Sequence, residues 1–176
     1  MIDIPKNANT INEFSSIDQK TVGRLDEIFW EEIPQMNAGR MLTEVNPVGG
    51  TEKARAVQDI VERMNCSLDR VMYVGDSITD APALKLVREN SGLTVSFNGN
   101  DYSVRESDIA VLSGDTTVTS VLAEAFSRQG KDGALRLINE WNLSGLKNNG
   151  VSPELCQRMS MVFSDGFPQV EQVTEK

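Results

Sequence analysis

Apolar positions recur along this chain with two periods, and each change of period marks the edge of an element. Behind a Ser16-Ile17-Asp18-Gln19 stretch that fits a capping box, Val22, Leu25, Phe29, Ile33 and Met36 fall three or four residues apart. The spacing predicts a helix over 17–33, slowed or ended at Pro34, because proline lacks the N–H that a helix interior needs. Met41 to Val45 reads as a short strand, and Asn46-Pro47-Val48-Gly49-Gly50 as a flexible connector. Ala56, Val57, Ile60, Val61 and Met64 form the apolar face of a second helix that runs to Cys66, with Thr51 placed to cap it.

The period then changes to that of buried strands. Residues 71–75, 93–97 and 108–112 are short runs rich in apolar and β-favouring residues. Between the first two, Ala83, Leu84, Leu86 and Val87 predict a helix that Asn90-Ser91-Gly92 stops; between the last two lies a short helical piece near 102–106, after the Asn98-Gly99-Asn100 turn. Strands that alternate with helices imply a parallel sheet with right-handed crossovers, and so an α/β fold. Asp115 can cap a helix with core face Val118, Val121, Leu122, Ala125 and Phe126. Gly130-Lys131-Asp132-Gly133 turns into another with Leu137, Ile138 and Trp141, and Ser152-Pro153-Glu154 opens a last one with Leu155, Met159, Val162 and Phe163. Residues 1–15 read as a loosely held lead-in, and 169–176 are expected to fray.

Composition narrows the chemistry. A net charge of −9 over 176 residues argues against nucleic acid or an anionic membrane surface as partner. The chain has no histidine, which removes imidazole bases and most zinc sites and leaves carboxylates, lysine and hydroxyls. Cys66 and Cys156 are far apart without metal-ligand spacing, so they read as two small core hydrophobes in a reduced, cytoplasmic protein. No apolar run approaches the ~20 residues of a membrane span, and the start lacks a signal-peptide pattern.

Two features stand out against this background. Gly75-Asp76-Ser77-Ile78-Thr79-Asp80 sets two carboxylates four residues apart where the first strand ends, the place where open α/β sheets bind ligands. Lys53 sits in the first turn of its helix, where a cation opposes the macrodipole. Plainer readings stand beside these: Asp80 as the cap of the helix starting near Ala81, and Lys53 as a solvated surface lysine offset by Glu52. Asp76 is harder to set aside, since a carboxylate at a buried strand end needs a partner.

Taken in order, Lys53, the Gly75-Asp76-Ser77-Ile78-Thr79-Asp80 turn, the Phe97-Asn98-Gly99-Asn100 turn and Ser107-Asp108-Ile109-Ala110 resemble the second half of haloacid dehalogenase (HAD) superfamily phosphohydrolases, over residues 49–128. The resemblance implies a partial HAD-like, three-layer Rossmannoid fold. In it Asp76 and Asp80 serve a Mg²⁺ ion, Asp76 as ligand and Asp80 as ligand or as the group that orients the turn or a coordinated water. Lys53 neutralises a phosphate, and Gly75, Ser77 and Asn98 shape its surroundings. It further implies a division into 1–48 as a helical cap remnant, 49–145 as the core, and 146–176 as a last helix and tail.

The superfamily's nucleophile is an aspartate in an Asp-x-Asp motif at the end of an apolar strand, and this sequence contains no Asp-x-Asp at all. Thr43 is the one loose candidate for the second motif, and its place close to Lys53 fits a cap segment better. The resemblance therefore implies the C-terminal part of a Mg²⁺-dependent phosphatase acting on a phosphorylated small molecule, inactive alone. The alternative is a non-catalytic metal- or phosphate-binding or assembly module. Either reading leaves strand 71–75 as an apolar edge that invites a second copy or a complementary N-terminal HAD fragment.

Overall fold

The computed structural model describes residues 16–45 and 48–174. The lead-in over 1–15, Asn46 and Pro47 of the connector, the last two residues, and the side chains of Ser16, Ile17, Leu42 and Thr43 lie outside the described residues. The chain forms two compact units, Met1–Pro47 and Val48–Lys176.

In the first unit α1 (Ser16–Asp26) runs on through a π-helical segment, Glu27–Glu32, into α2 (Ile33–Gln35), so the helix passes Pro34 rather than ending there. The Ile33 N–H reaches back five residues to the Ile28 carbonyl, and Pro34 falls in the first turn of α2. The widened π turn makes room for the proline ring, which has no N–H to give to the preceding turn. A 3₁₀ turn (Asn37–Gly39) leads to α3 (Arg40–Glu44), where a strand was expected. Here local forces win: an Arg40–Glu44 ion pair of 2.7 Å spans one helical turn, and the segment pairs with no strand among the described residues.

The second unit opens on α4 (Thr51–Arg63). Gly50, at φ 56° and ψ −124°, occupies the cap position in a conformation closed to most side chains, so Thr51 is the first helical residue and not the cap. Val57, with Ala54 and Val61 beside it, packs toward Val71, Tyr73, Ala83 and Val87. Ile60 and Met64, expected on the same face, are exposed. β1 (Met72–Gly75) is followed by α5 (Ala81–Glu89), β2 (Leu93–Phe97), α6 (Asp101–Arg105), β3 (Ile109–Leu112) and α7 (Thr117–Asn139), which breaks at Gly130 (φ 68°) as the glycine-flanked turn predicts. Asp115 Oδ1 accepts the Thr117 N–H at 2.7 Å and so opens α7. After α8 (Leu143–Asn148) and α9 (Pro153–Val162), the chain ends in β4 (Gln169–Gln172).

The sheet order is β1-β2-β3-β4, with the first three strands parallel and β4 antiparallel to β3. The expected fraying of 169–176 is thus corrected for 169–172. Val170 pairs with Val111 and is buried, and Trp141 donates to the Pro168 carbonyl at 3.1 Å while its ring meets Phe167 edge-on. One face of the sheet, from Leu93, Val95, Ile109 and Val111, packs on Val118, Val121 and Leu122 of α7 and on Leu137, Leu146 and Met159. Cys156 belongs to this core, whereas Cys66 is exposed; both thiols are free. Among the described residues no helix is long and apolar enough to cross a membrane.

β1 forms one edge of the sheet and is half-buried rather than enclosed, with Val74 41% exposed. At the opposite end of the strands, buried Asp108 accepts from Thr94 N (3.0 Å) and Thr94 Oγ1 (2.8 Å), with Lys131 Nζ at 2.8 Å and Arg88 Nε at 3.7 Å. Lys131 also donates to the Gly92 carbonyl at 3.1 Å, which ties the broken α7 to the start of β2.

Two leucines measure how unevenly stability is spread. Leu122→Ala, from a fully buried position, is expected to cost about 2–5 kcal/mol in urea unfolding. Leu112→Ala, 62% exposed, should stay within about 0.5 kcal/mol of the parent. Equal losses would contradict the placement of the core.

Candidate metal and phosphate site

The turn after β1 is built around one carboxylate. A Cβ on Gly75 would lie 2.5 Å from Cβ of Asp80, so only glycine lets Asp80 fold back under the strand end. Asp80 is 5% exposed. Its Oδ2 accepts the backbone N–H groups of Asp76 (3.2 Å) and Ser77 (3.2 Å) and the Ser77 hydroxyl (3.0 Å). Its Oδ1 accepts Lys53 Nζ at 2.7 Å and the Tyr73 hydroxyl at 3.0 Å. Asp80 stands at the start of α5, but its side chain makes no cap bond to that helix; its main-chain carbonyl takes the Ala83 and Leu84 N–H groups instead.

Burial works against the charge on Asp80, but Lys53, the Asp76 N–H, Tyr73 and Ser77 together outweigh it and hold the carboxyl well below the usual carboxylate range. Burial, with Asp80 as acceptor, pushes the Tyr73 phenol up, so it stays a neutral donor. The hydroxyls close a directed ring. Lys53 Nζ donates to Thr79 Oγ1 at 3.1 Å, Thr79 and Ser77 hydroxyls lie 3.0 Å apart, and Ser77 donates to Asp80. Because Ser77 spends its proton on Asp80, the Thr79 proton points to Ser77.

Neighbouring segments pin the turn from outside. The Gly50 N–H donates to the Thr79 carbonyl at 3.0 Å, fixing the start of α4 and with it Lys53, and the Asn100 N–H donates to the Asp76 carbonyl at 2.9 Å. Gly99 sits where a Cβ would strike Ser96 and Ser103 and crowd that same carbonyl at 3.0 Å. Asn98 exchanges two bonds with the Ser113 main chain, 2.7 and 2.9 Å, and so clasps the ends of β2 and β3.

Asp76 is the contrast. The strand end above it is open, so the carboxylate stands exposed and makes no hydrogen bond or ion pair among the described residues; its expected protein partner is missing because its surroundings are wet. It borders a hollow of about 300 Å³ with Lys53, Val74, Gly75, Asp80 and Phe97. The structure thus brings Lys53, Gly75, Asp76, Ser77 and Asp80 together and sets Asn98 apart, outside this hollow. Tyr73 and Gly50 join a group in which the sequence pattern did not place them, and Thr79, part of the expected turn, gains a role there. A phenol inside an apolar strand was the available signal for the first.

The donor set suits a hard cation in part. Mg²⁺ is commonly held by one or two carboxylates with waters and substrate phosphate, and Asp76 has its oxygens free for that role. Asp80 already accepts five donors, more than the roughly four lone-pair sites of a carboxylate, and is spent on the turn. Among the described residues no cluster of three acidic or cysteine side chains could enclose a metal. A larger hollow of about 540 Å³ lies between α8 and α9, lined mainly by residues such as Leu143, Val151, Pro153 and Met161, and gathers no comparable set of charges.

Residues 4–99, more than half of the chain, match the family described as haloacid dehalogenase-like hydrolase. Among solved structures, gene product AF1437 from Archaeoglobus fulgidus is similar with a TM-score of 0.56 and 23% identity, covering 86% of this chain and 48% of that one. At that identity the likeness speaks for the fold, and the chain spans about half the length of the neighbour. No curated protein matches it significantly.

Asp80→Asn tests the core of the site. With the folded carboxyl held below its unfolded value of about 3.9, Asp80 contributes stability above that pH and loses it as pH falls toward the folded pKa. The variant should therefore be less stable than the parent by about 1–3 kcal/mol at pH 7, by the same amount near pH 5, and by progressively less below about pH 4 in urea unfolding. A gap that widens on acidification would contradict this.

Proposed function

The chain belongs to the haloacid dehalogenase-like hydrolases, and on that premise we propose that it is the metal- and phosphate-holding part of a Mg²⁺-dependent phosphohydrolase that cannot turn over by itself. One observation carries the reading. Of two aspartates four residues apart, Asp80 is buried and fully engaged, while Asp76 is exposed and unengaged beside the Lys53 ammonium. A turn that stabilises itself with one carboxylate and presents the other to a hollow is suited to bind, not merely to cap.

In this reading Asp76 would be the protein ligand of Mg²⁺, with Asp80 holding the turn. The bound ion would neutralise phosphate charge and orient the reacting oxygens. Lys53 has two of its three N–H donors committed to Thr79 and Asp80, which leaves one for a phosphate oxygen. What the chain lacks is the first covalent step. Without an Asp-x-Asp strand there is no carboxylate to take the phosphoryl group, and positioning alone does not complete the transfer.

The missing strand belongs beside β1, the edge strand of the sheet, where Val74 is already exposed at the rim of the hollow. A complementary HAD segment with an Asp-x-Asp strand is therefore the proposed partner, a phosphorylated small molecule the substrate of the completed site, and the unit Met1–Pro47 the remnant of a cap. Free thiols agree with a cytoplasmic setting. The same absence of a nucleophile favours a second reading, a non-catalytic module that binds metal or phosphate and assembles through this edge, with another copy or a different chain.

A phosphatase screen with Mg²⁺ separates them. The chain alone should give no turnover. With a fragment that supplies the Asp-x-Asp strand, complex formation should appear in light scattering, and activity should appear and fall by about 10²-fold or more in Asp76→Ala. Activity of the chain alone would overturn the proposal, and a complex without activity would favour the module.

A further inference from the structure

Tyr73 does more than its place in the core requires. Its ring leaves β1 on the face that packs against Val57 of α4 and Ala83 and Val87 of α5, where phenylalanine would serve as well. The hydroxyl at its tip reaches out of that cluster to Asp80 Oδ1, the same oxygen that receives Lys53. We propose that Tyr73 is the positioning residue of this site: its hydroxyl fixes the plane of the Asp80 carboxylate from the core side and thereby holds the Lys53 ammonium in the hollow.

The geometry supplies the reason. Oδ2 is held by three donors of the turn itself, so the turn determines where Asp80 sits. Oδ1 faces α4 and would have Lys53 as its one partner without the phenol. Lys53 is a long side chain, 28% exposed against 7% for the side chain of Asp80, and exchanges readily with water unless its acceptor is fixed. A cation in place of Tyr73 would compete with Lys53 for the carboxylate. A neutral donor satisfies the buried oxygen and leaves its charge to Lys53.

This rests on the reading of Lys53 as the phosphate-facing group, but its test does not need phosphate. The molecule contains its own control at the other end of the sheet: Lys131 is likewise held by a carboxylate, Asp108, and by one further oxygen, the Gly92 carbonyl. With ¹⁵N-labelled lysine, the ammonium protons of both should exchange slowly with water. In Tyr73→Phe, exchange at Lys53 should accelerate about fivefold, the share of one net hydrogen bond, while Lys131 is unchanged. Unchanged exchange at Lys53, or equal acceleration at both lysines, would overturn the proposal, the latter because a loss of packing acts on the whole unit.

Should Tyr73→Phe fail to fold, the native phenol can be read directly. The chain has two tyrosines, so in Tyr102→Phe the Raman tyrosine doublet reports Tyr73 alone. A strong-donor signature supports the assignment and a water-bonded one contradicts it. Adding Mg²⁺ and inorganic phosphate to the labelled sample then probes the parent reading separately. No response of Lys53 there, with the Tyr73→Phe effect intact, would sink the phosphate role and leave the positioning role standing.

Discussion

A charge buried at the end of an edge strand is the constraint on which the rest of this site depends. Asp80 is satisfied from four directions: by its own turn through the Asp76 and Ser77 N–H groups, by Ser77 Oγ, by Tyr73 from the strand and by Lys53 from the preceding helix. Each partner is thereby fixed in turn. Gly75 must be glycine for the carboxylate to return under the strand, and Gly50 anchors α4 to Thr79 so that Lys53 arrives on target. Asp76 inherits the result, a carboxylate whose backbone is clamped on both sides and whose side chain is unengaged.

The sheet carries ion clusters at both ends, and they do different work. At the N-terminal end Asp108, Thr94, Lys131 and Arg88 draw together the starts of β2 and β3 and the second half of α7, under the large core of that face. There the carboxylate is engaged through both oxygens, and the group closes the fold. At the C-terminal end the same kind of pairing leaves one carboxylate, Asp76, unengaged. On the proposed reading, stability and binding are thus separated along the strands, as in open α/β sheets generally.

The order of elements from Lys53 to α7 was legible because β1, β2 and β3 are short runs of apolar and β-favouring residues bounded by turn residues. Segments that depend on a distant partner were not. β4 exists because Val170 finds Val111 and because Trp141 and Phe167 lock the approach, and none of this is visible in Gln169-Val170-Glu171-Gln172 alone. The helix through Pro34 likewise depends on a π turn that the residue types do not announce. In the site, the acidic turn could be read from its residues, and the resemblance already offered Asp80 as the group that orients the turn. What the sequence did not show is how it does so, through the reach of Tyr73 and the space left by Gly75.

The division of labour between Asp76 and Asp80 is the central claim, and a Mg²⁺ titration followed by backbone amide NMR tests it most directly. Saturable shifts should centre on Gly75, Asp76 and Ser77 and vanish in Asp76→Ala, while the Asp108 end of the sheet stays still. Shifts that survive Asp76→Ala, or that never appear in the parent protein, would contradict the account.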